Sequence, residues 1–274
     1  MHNKKHSFAD KLAYTGFRQA SPSISLQPYI QCYWQIKTKL SFISPSTELL
    51  HPNGGLGVII NFGSPLLYEG KNISSNGYMD GIHTKTRQMS LAGHVDAIGI
   101  RFNPGGASHF FATPLSEINN SNINLHDLAM GQLIESCQDE KEKNPTGDIL
   151  KFVDTFLLKK LTEPLKTDAL VQHIAIKIKL NNGKNTIAET INDVGKSYRQ
   201  IERLFKASIG MTPKQYARIV RIENARTLLK NKNLQSFTEI GEVAGFYDQA
   251  HFIKEFKSII GLSPTAYVNF KKKY

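Results

Sequence analysis

The sequence predicts an α+β protein, with a mostly β, barrel-like amino-terminal part followed by an all-α carboxy-terminal part. Three observations support this prediction. Eleven of the 20 glycines fall between His51 and Gly106, where short apolar runs alternate with turn residues, as is typical of β structure. From Asp148 onward, the apolar residues recur with the helical period instead. Near the end of the chain, one helix-turn-helix pattern occurs twice, at an offset of 51 residues.

Three segments of the first part are predicted to be strands. Leu56–Phe62 and Ala97–Phe102 are apolar runs bounded by turn residues. Tyr29–Ile36 alternates between two faces, as a half-buried strand does. One face carries Ile30, Cys32, Trp34 and Ile36, and the other carries Gln31, Tyr33 and Gln35. We therefore predict a small barrel or sandwich over residues 20–112.

A helix with one apolar stripe marks the end of the first part. The stripe consists of Ile149, Leu150, Val153, Phe156, Leu157 and Leu161. We expect the helix to end before Thr162-Glu163-Pro164, because proline lacks a backbone donor and disfavours helix in the residue before it. We place the domain boundary here, which gives one domain over residues 1–162 and another over 163–274. The stripe is either core of the first domain or the seam of a dimer.

The positive charge of the chain is concentrated in the second part. Residues 168–274 hold 18 Lys and Arg against 9 Asp and Glu, whereas residues 1–167 hold 16 against 14, so that +9 of the net charge of +11 lies in the second part. Such a balance favours a polyanion partner, because neutralising phosphates releases counterions. The alternative is a basic surface that only serves solubility.

The composition also narrows the class of protein. No apolar run reaches the roughly 20 residues of a membrane span, and the start at Met1 lacks the apolar core of a signal peptide. Cys32 and Cys137, 105 residues apart, fit neither a disulfide framework nor a four-thiolate zinc site. We expect a soluble protein of the reduced cytoplasm with no membrane partner.

The first helix-turn-helix copy follows a helix predicted over Asp168–Lys179. Thr186 and Glu189 form a capping-box pattern that starts a supporting helix, expected to end near Asp193. A turn over Val194–Lys196 leads to a second capping box, Ser197 to Gln200, which starts the next helix. At 100° per residue, one face of that helix is polar and the other packs. The polar face carries Arg199, Glu202, Arg203 and Lys206, and the packing face carries Ile201, Leu204, Phe205 and Ser208.

The second copy repeats this plan with different exposed residues. Its supporting helix is predicted over Phe237–Ala244, and Asp248 is the predicted N-cap of the next helix. The same angular count places Ile253, Lys254 and Lys257 outside and Phe252, Phe256 and Ile259 inside. Thr212-Pro213 and Ser263-Pro264 each place a capping hydroxyl before a proline, so each starts a helix. The first of these helices is expected to run from Pro213 to Lys230 and to hold the two copies apart.

The carboxy-terminal residues resemble a known family. Residues 245–257 read GFYDQAHFIKEFK, followed by Gly261, Ser263-Pro264 and Tyr267, and this pattern is similar to the signature of the AraC/XylS transcription regulators. The resemblance covers about residues 168–274. It implies a DNA-binding domain of seven helices, whose two recognition helices enter successive major-groove segments about 10 bp apart. Thr190-Ile191 and Gly241 depart from the Leu-Ala and Ala that the family favours, so we expect looser packing of the supporting helices.

The resemblance also assigns candidate contacts to both recognition helices. Arginine can bind guanine, glutamine can bind adenine, glutamate can accept from cytosine, and isoleucine can meet a thymine methyl group. The candidates for base or near-base contacts are Arg199, Glu202 and Arg203 in the first copy and Gln249, Ala250, Ile253 and Lys254 in the second. The candidates for phosphate contacts are Lys206, Lys257 and the helix-start residues Ser197 and Tyr198.

The amino-terminal part carries a second likeness. His51-Pro52-Asn53-Gly54 and the segment from Asn103 to Phe110 look like the regulatory domain of some of these regulators, which is cupin-like in general character. This likeness implies a sensing or dimerising domain, in which a ligand shifts the populations of DNA-binding states. The expected partners are double-stranded DNA, RNA polymerase and a small-molecule effector, for a monomer or homodimer that acts as a transcription activator.

Two other classes of function stay open. One is an enzyme fused to a DNA-binding module, either a metal-dependent cupin enzyme or a DNA-repair protein. His51, His83, His94 and His109 lack the tight spacing of many metal sites, and two cysteines cannot supply a four-cysteine zinc domain. No nucleophile-base motif appears either, so we expect no enzyme activity, no metal and no cofactor. The other class is a scaffold that only binds partners through its amino-terminal part.

Overall fold

The protein is described here from a computed structural model that covers residues 16–38, 42–73, 76–111, 115–118, 122–128, 130–161, 166–230 and 236–273. The predicted order of a mostly β part and then a helical part is confirmed. Among the described residues, no helix is both long and apolar enough to cross a bilayer.

The β part is a sandwich of two antiparallel sheets. The six-stranded sheet has the order β1-β2-β9-β4-β7-β10, and the four-stranded sheet has the order β3-β8-β5-β6. Residues from both sheets, among them Ile59, Tyr78 and Leu91, form the apolar core between them. The strands are β1 (Arg18–Ala20), β2 (Ile30–Lys37), β3 (Phe42–Leu50), β4 (Gly57–Asn61), β5 (Leu67–Tyr68), β6 (Lys71–Asn72), β7 (Gly77–Asp80), β8 (Arg87–Gly93), β9 (Asp96–Phe102) and β10 (Asn122–Asn124).

Nine α-helices follow the strands in the described part of the chain. They are α1 (Gly131–Lys143), α2 (Ile149–Lys160), α3 (Lys166–Leu180), α4 (Ile187–Ile191), α5 (Tyr198–Ile209), α6 (Pro213–Leu228), α7 (Phe237–Ala244), α8 (Gln249–Ile260) and α9 (Pro264–Lys273). Helix α1 is absent from the sequence prediction. Helix α6 ends at Leu228, two residues before the predicted end at Lys230.

Helix α2 is core of the amino-terminal part. Ile149, Leu150, Val153 and Leu157 of the predicted stripe are buried within the single chain, where α2 contacts α1 and β2. This burial favours the core interpretation of the stripe over the dimer seam. The predicted stop at Thr162-Glu163-Pro164 lies outside the described residues.

The predicted strand at Tyr29–Ile36 is confirmed as β2, but the expectation that its polar face lies in solvent is wrong at Tyr33 and Gln35. Tyr33 is 1% exposed, and its hydroxyl donates to Asp154 of α2 at 2.9 Å. Gln35, also buried, accepts from Nε of Arg18 at 2.6 Å. A β-bulge between Ile30 and Cys32 interrupts the alternation. Tyr33 and Gln35 on the second face are therefore buried by hydrogen bonds to other elements, whereas Gln31 is exposed.

The two parts of the chain are docked against each other. One continuous apolar core contains residues of both. Helix α5 packs against two 3₁₀ helices of the first part, Gly106–His109 and Leu115–Ile118. The amide of Thr86 donates to the carbonyl of Ile259 in α8 at 2.8 Å. The β part thus contacts both helices that the sequence assigns to DNA recognition.

The seam is the interface between the β part and the helical part of the chain. Gly54 lies at this seam, directly against Tyr216 of α6. Its φ is +76°, and a Cβ atom there would lie 2.3 Å from a ring carbon of Tyr216. Gly70 has nearly the same φ, +75°, but a Cβ atom there would meet nothing within 4 Å. We expect Gly54→Ala to lower the free energy of unfolding by about 1 to 3 kcal/mol more than Gly70→Ala, because only the first overpacks a buried contact. Equal losses in urea denaturation would contradict this packing.

His51 is the second probe of the seam. Its Nδ1 lies 2.9 Å from Oγ1 of Thr86, and its ring packs edge-on against Tyr267 of α9 at 5.7 Å. Burial, followed by the positive charge of Arg226, lowers the pKa of His51 from 6.5 to about 3. The folded protein therefore keeps the imidazole neutral at a pH where the unfolded chain takes up a proton.

The stabilisation from neutral His51 is complete above pH 6.5 and is lost as the pH falls toward 3. Between pH 6.5 and 5, we expect the unfolding free energy to decrease more steeply in the wild type than in His51→Gln, by up to about 1.4 kcal/mol per pH unit. Chemical denaturation at several pH values measures both slopes. The same slope in both proteins would show that His51 is not buried in neutral form.

Candidate nucleic-acid interface

The first helix-turn-helix unit consists of α4 and α5. The amide of Glu189 donates to Oγ1 of Thr186 at 3.2 Å, and the amide of Thr186 donates to Glu189 at 2.8 Å, so the predicted capping box is present. Ser197 and Gln200 form the second predicted box at the start of α5. Helix α4 ends at Ile191, earlier than the predicted Asp193. Each box satisfies amides that the first helical turn leaves without a partner.

Helix α5 separates its packing and polar faces as predicted. Ile201, Phe205 and Ile209 are fully buried, and Ser208 is buried as well. Arg199, Arg203 and Lys206 are exposed, and Glu202 is half-buried. A shallow groove on this face is lined by Ser197, Arg199, Gln200, Glu202, Arg203 and Lys206.

One ion pair modifies this face. The ammonium group of Lys206 lies 2.8 Å from a carboxylate oxygen of Glu202, one helical turn away. A cytosine or a phosphate would compete with this pair for Glu202 or Lys206. Within the part of the chain that the structure describes, Arg199 and Arg203 are therefore the cations of this face that no ion pair balances.

The second unit consists of α7 and α8 and follows the same plan. The amide of His251 donates to Asp248 at 2.7 Å, so the predicted N-cap is present. Phe252 and Phe256 are fully buried and Ile259 is 5% exposed, as predicted. The predicted contact residues Gln249, Ala250, Lys254 and Lys257 are exposed, whereas Ile253 is half-buried and packs partly on the core.

The supporting helices are not loosely packed at Gly241 and Thr190, where the sequence departs from the family pattern. A Cβ atom at Gly241 would lie 3.3 Å from Cβ of Phe252, which is a tight contact, so glycine lets α7 approach α8 closely. Thr190 is 2% exposed, and its hydroxyl donates to the carbonyl of Thr186 at 2.8 Å. Both departures are accommodated by close packing or by a hydrogen bond.

Two residues next to the second recognition helix are absent from the sequence prediction. The hydroxyl of Thr238 in α7 donates to Oε1 of Gln249 at 2.9 Å, which orients the side-chain amide of Gln249. Tyr247, 92% exposed, directly precedes the cap Asp248. Tyr247 could have been identified from the sequence by its position next to the N-cap. Thr238 could not, because its contact joins two separate helices.

Helix α6 connects the two units. Arg218 forms a bidentate ion pair with Glu255 of α8, with nitrogen to oxygen distances of 2.7 and 3.0 Å. Arg221 donates twice to the carbonyl of Gly183, in the turn after α3. Tyr216 is fully buried and packs against Phe205 of α5, with ring centroids 5.9 Å apart. Helix α6 therefore contacts both recognition helices directly.

The four histidines considered for a metal site differ in their contacts, although His51 and His83 line the same cavity. His83 contacts Asp80 and Tyr68, whereas His51 contacts Thr86. Over the described ranges, no three His, Cys, Asp or Glu side chains are grouped to hold a metal ion.

Residues 191–269 match the family described as helix-turn-helix domain, and residues 18–124 match a domain of unknown function, DUF6597. The regulator ArgR of Pseudomonas aeruginosa is 29% identical over 104 residues, 38% of this chain and 25% of ArgR. The transcriptional activator NphR of a Rhodococcus species is 34% identical over 92 residues, 34% of this chain and 27% of NphR.

The chain thus spans about a quarter of the length of these two relatives. Among solved structures, ToxT of Vibrio cholerae is similar over 92% of this chain and 98% of ToxT, at 14% identity and a TM-score of 0.44. The helix-turn-helix match over residues 191–269 contains both capped units, from α5 to α8. Residues 191–269 are therefore a helix-turn-helix domain, and the relatives that the chain resembles, ArgR and NphR, are transcription regulators.

Proposed function

We propose that this protein binds double-stranded DNA sequence-specifically and regulates transcription, with α5 and α8 reading two successive major-groove segments. The observation that carries the proposal is the pair of exposed, non-identical polar faces on two helices that α6 connects. The two faces differ in chemistry, so the expected site is asymmetric and consists of two different half-motifs. One chain suffices to read it.

Each predicted contact residue has a role in this proposal. On α5, Arg199 and Arg203 bind base edges, and Glu202 joins them once Lys206 turns to a phosphate. On α8, Gln249 and Lys254 reach bases, while Ala250 and Ile253 present apolar surface to thymine methyl groups. The remaining candidates, Ser197, Tyr198 and Lys257, contact phosphates.

The two parts of the chain have different roles in this proposal. We assign residues 1–162 to sensing or dimerisation and residues 163–274 to DNA binding, in a cytoplasmic protein that is a monomer or homodimer. Contacts between the β part and both recognition helices support this division of roles. A ligand of the β part would act on the recognition helices through these contacts. RNA polymerase is the proposed partner for activation, and the proposal includes no enzyme activity.

Selection from randomised DNA with the full chain tests the function. We expect enrichment of one asymmetric site with two half-motifs, bound in a salt-sensitive manner. Enrichment of no sequence, or binding that is indifferent to both sequence and salt, would contradict the proposal. A palindromic site would instead contradict the reading of two different half-motifs by one chain.

Arg203 and Lys254 provide the first residue-level prediction. On the selected site, Arg203→Ala and Lys254→Ala are each expected to weaken binding by about 1 to 3 kcal/mol, because each removes a contact to a base edge. Fluorescence anisotropy with labelled duplex measures the loss. Lys151→Ala, an exposed charge on α2, is the matched control and should leave affinity unchanged. Unchanged affinity in both variants would remove these residues from the interface.

Thr238 provides the second prediction, because its hydroxyl fixes the amide of Gln249. Thr238→Val keeps the shape and removes the donor, so Gln249 becomes free to rotate. We expect base discrimination at one position of the second half-motif to fall several-fold, as one oriented hydrogen bond contributes about 1 kcal/mol. Binding to single-base variants of the site measures the discrimination. In a Gln249→Ala background, Thr238→Val should have no further effect, and an equal effect there would show a purely structural role.

A further inference from the structure

A cavity of about 340 Å³ lies at the seam between the β part and α6. Its apolar wall includes Trp34, Leu50 and Ile59 of the sandwich. Glu223 and Arg226 of α6 close the opposite side. Cavities of this size accommodate small organic ligands in other proteins. Any occupant of this cavity would touch both parts of the chain at once.

Two cations and two carboxylates line the cavity together. Arg101 comes from β9 and Arg226 from α6, and the carboxylates are those of Asp80 and Glu223. Among the described residues, neither arginine forms an ion pair, and neither does Glu223. Nε of Arg226 donates to the hydroxyl of Tyr267 at 3.3 Å. Arg101, Arg226 and Glu223 are therefore available to a ligand, whereas Asp80 already accepts a hydrogen bond from Tyr68 and contacts His83.

His83, which lines the cavity, has a buried polar atom that lacks a partner within the described residues. The His83 side chain is 8% exposed, and its Nε2 contacts Asp80 while its Nδ1 has no hydrogen-bond partner. Buried polar atoms are rarely left without one, because the loss of hydration is costly. A ligand with polar groups of its own would supply this partner.

We propose that this cavity binds a small zwitterion, an amino acid or a close analogue, whose carboxylate lies between Arg101 and Arg226 and whose ammonium group faces Glu223. The apolar side chain of the ligand then packs on the wall that contains Trp34. A plain anion would place negative charge beside the two carboxylates, and a plain amine would place positive charge beside the two arginines. Only a ligand with both charges pairs with the two arginines and with Glu223.

Binding of the ligand does not depend on the proposed function, but its effect on DNA binding rests on that function. A ligand that binds residues of both parts stabilises their docked arrangement relative to any arrangement in which the seam opens. Since the seam contacts α5 and α8, occupancy of the cavity biases the orientation of both recognition helices. The zwitterion is thus the proposed effector, with α6 as the element that transmits its binding.

Trp34 makes the proposal directly testable, because it is the single tryptophan of the chain and lines the cavity. Titration of the full chain, without DNA, would follow Trp34 fluorescence with L-phenylalanine, 3-phenylpropionate and 2-phenylethylamine, which share one side chain and differ only in charge. L-leucine, with 4-methylpentanoate and 3-methylbutylamine, provides a second series. We expect the zwitterion of at least one series to bind about tenfold more tightly than its two singly charged analogues.

Two substitutions test the carboxylate contact and the ammonium contact of the ligand separately. Arg226→Gln should lower the affinity for the zwitterion and the carboxylate about tenfold and leave the affinity for the amine unchanged. Glu223→Gln should lower the affinity for the zwitterion and the amine about tenfold and leave that for the carboxylate unchanged. Arg87→Gln and Glu242→Gln, outside the cavity, are the matched controls and should change no affinity. Absence of saturable binding by both zwitterions, equal affinities within both series, or equal losses in the controls would overturn the proposal. Because no DNA is present, a failure of DNA binding leaves this result unaffected.

Discussion

The packing of α6 is the constraint on which the arrangement of the carboxy-terminal domain depends. This helix contacts α3, α5, α7 and α8. Its fully buried Tyr216 packs on α5, its Arg218 pairs with Glu255 of α8, and its Arg221 holds the turn after α3. The two recognition helices therefore have a fixed relative position because both are attached to one helix. A change in how α6 packs would alter both reading faces together.

The seam with the β part extends this constraint to the whole chain. Tyr216 meets Gly54 on one side and Phe205 of the first recognition helix on the other. The loop before β8 donates to the end of α8 through Thr86, and Glu223 and Arg226 of α6 line the cavity beside the sandwich. Events in the β part thus have a short physical route to the DNA-reading helices, through packed side chains and without any long linker.

The parts of this structure that could be predicted from sequence are those with local causes. The N-caps Thr186, Ser197 and Asp248 satisfy nearby amides, and the buried faces of α5 and α8 follow from the helical period, so short stretches of sequence contain both signals. The parts that could not be predicted depend on distant residues. Tyr33 and Gln35 are buried because Asp154 and Arg18 reach them, and Gln249 is oriented by Thr238 of another helix. The cavity likewise combines side chains from β2, β9 and α6.

The measurement that tests the central role of α6 most directly is the dependence of DNA affinity on half-motif spacing. The full chain would be titrated onto its selected site and onto sites with about 5 or about 10 bp inserted between the two half-motifs, the second insertion restoring the same face of the duplex. If α6 fixes both recognition helices, both insertions reduce affinity to that of a single half-motif. Full affinity after the 10 bp insertion would show that the two units move independently and would contradict the account.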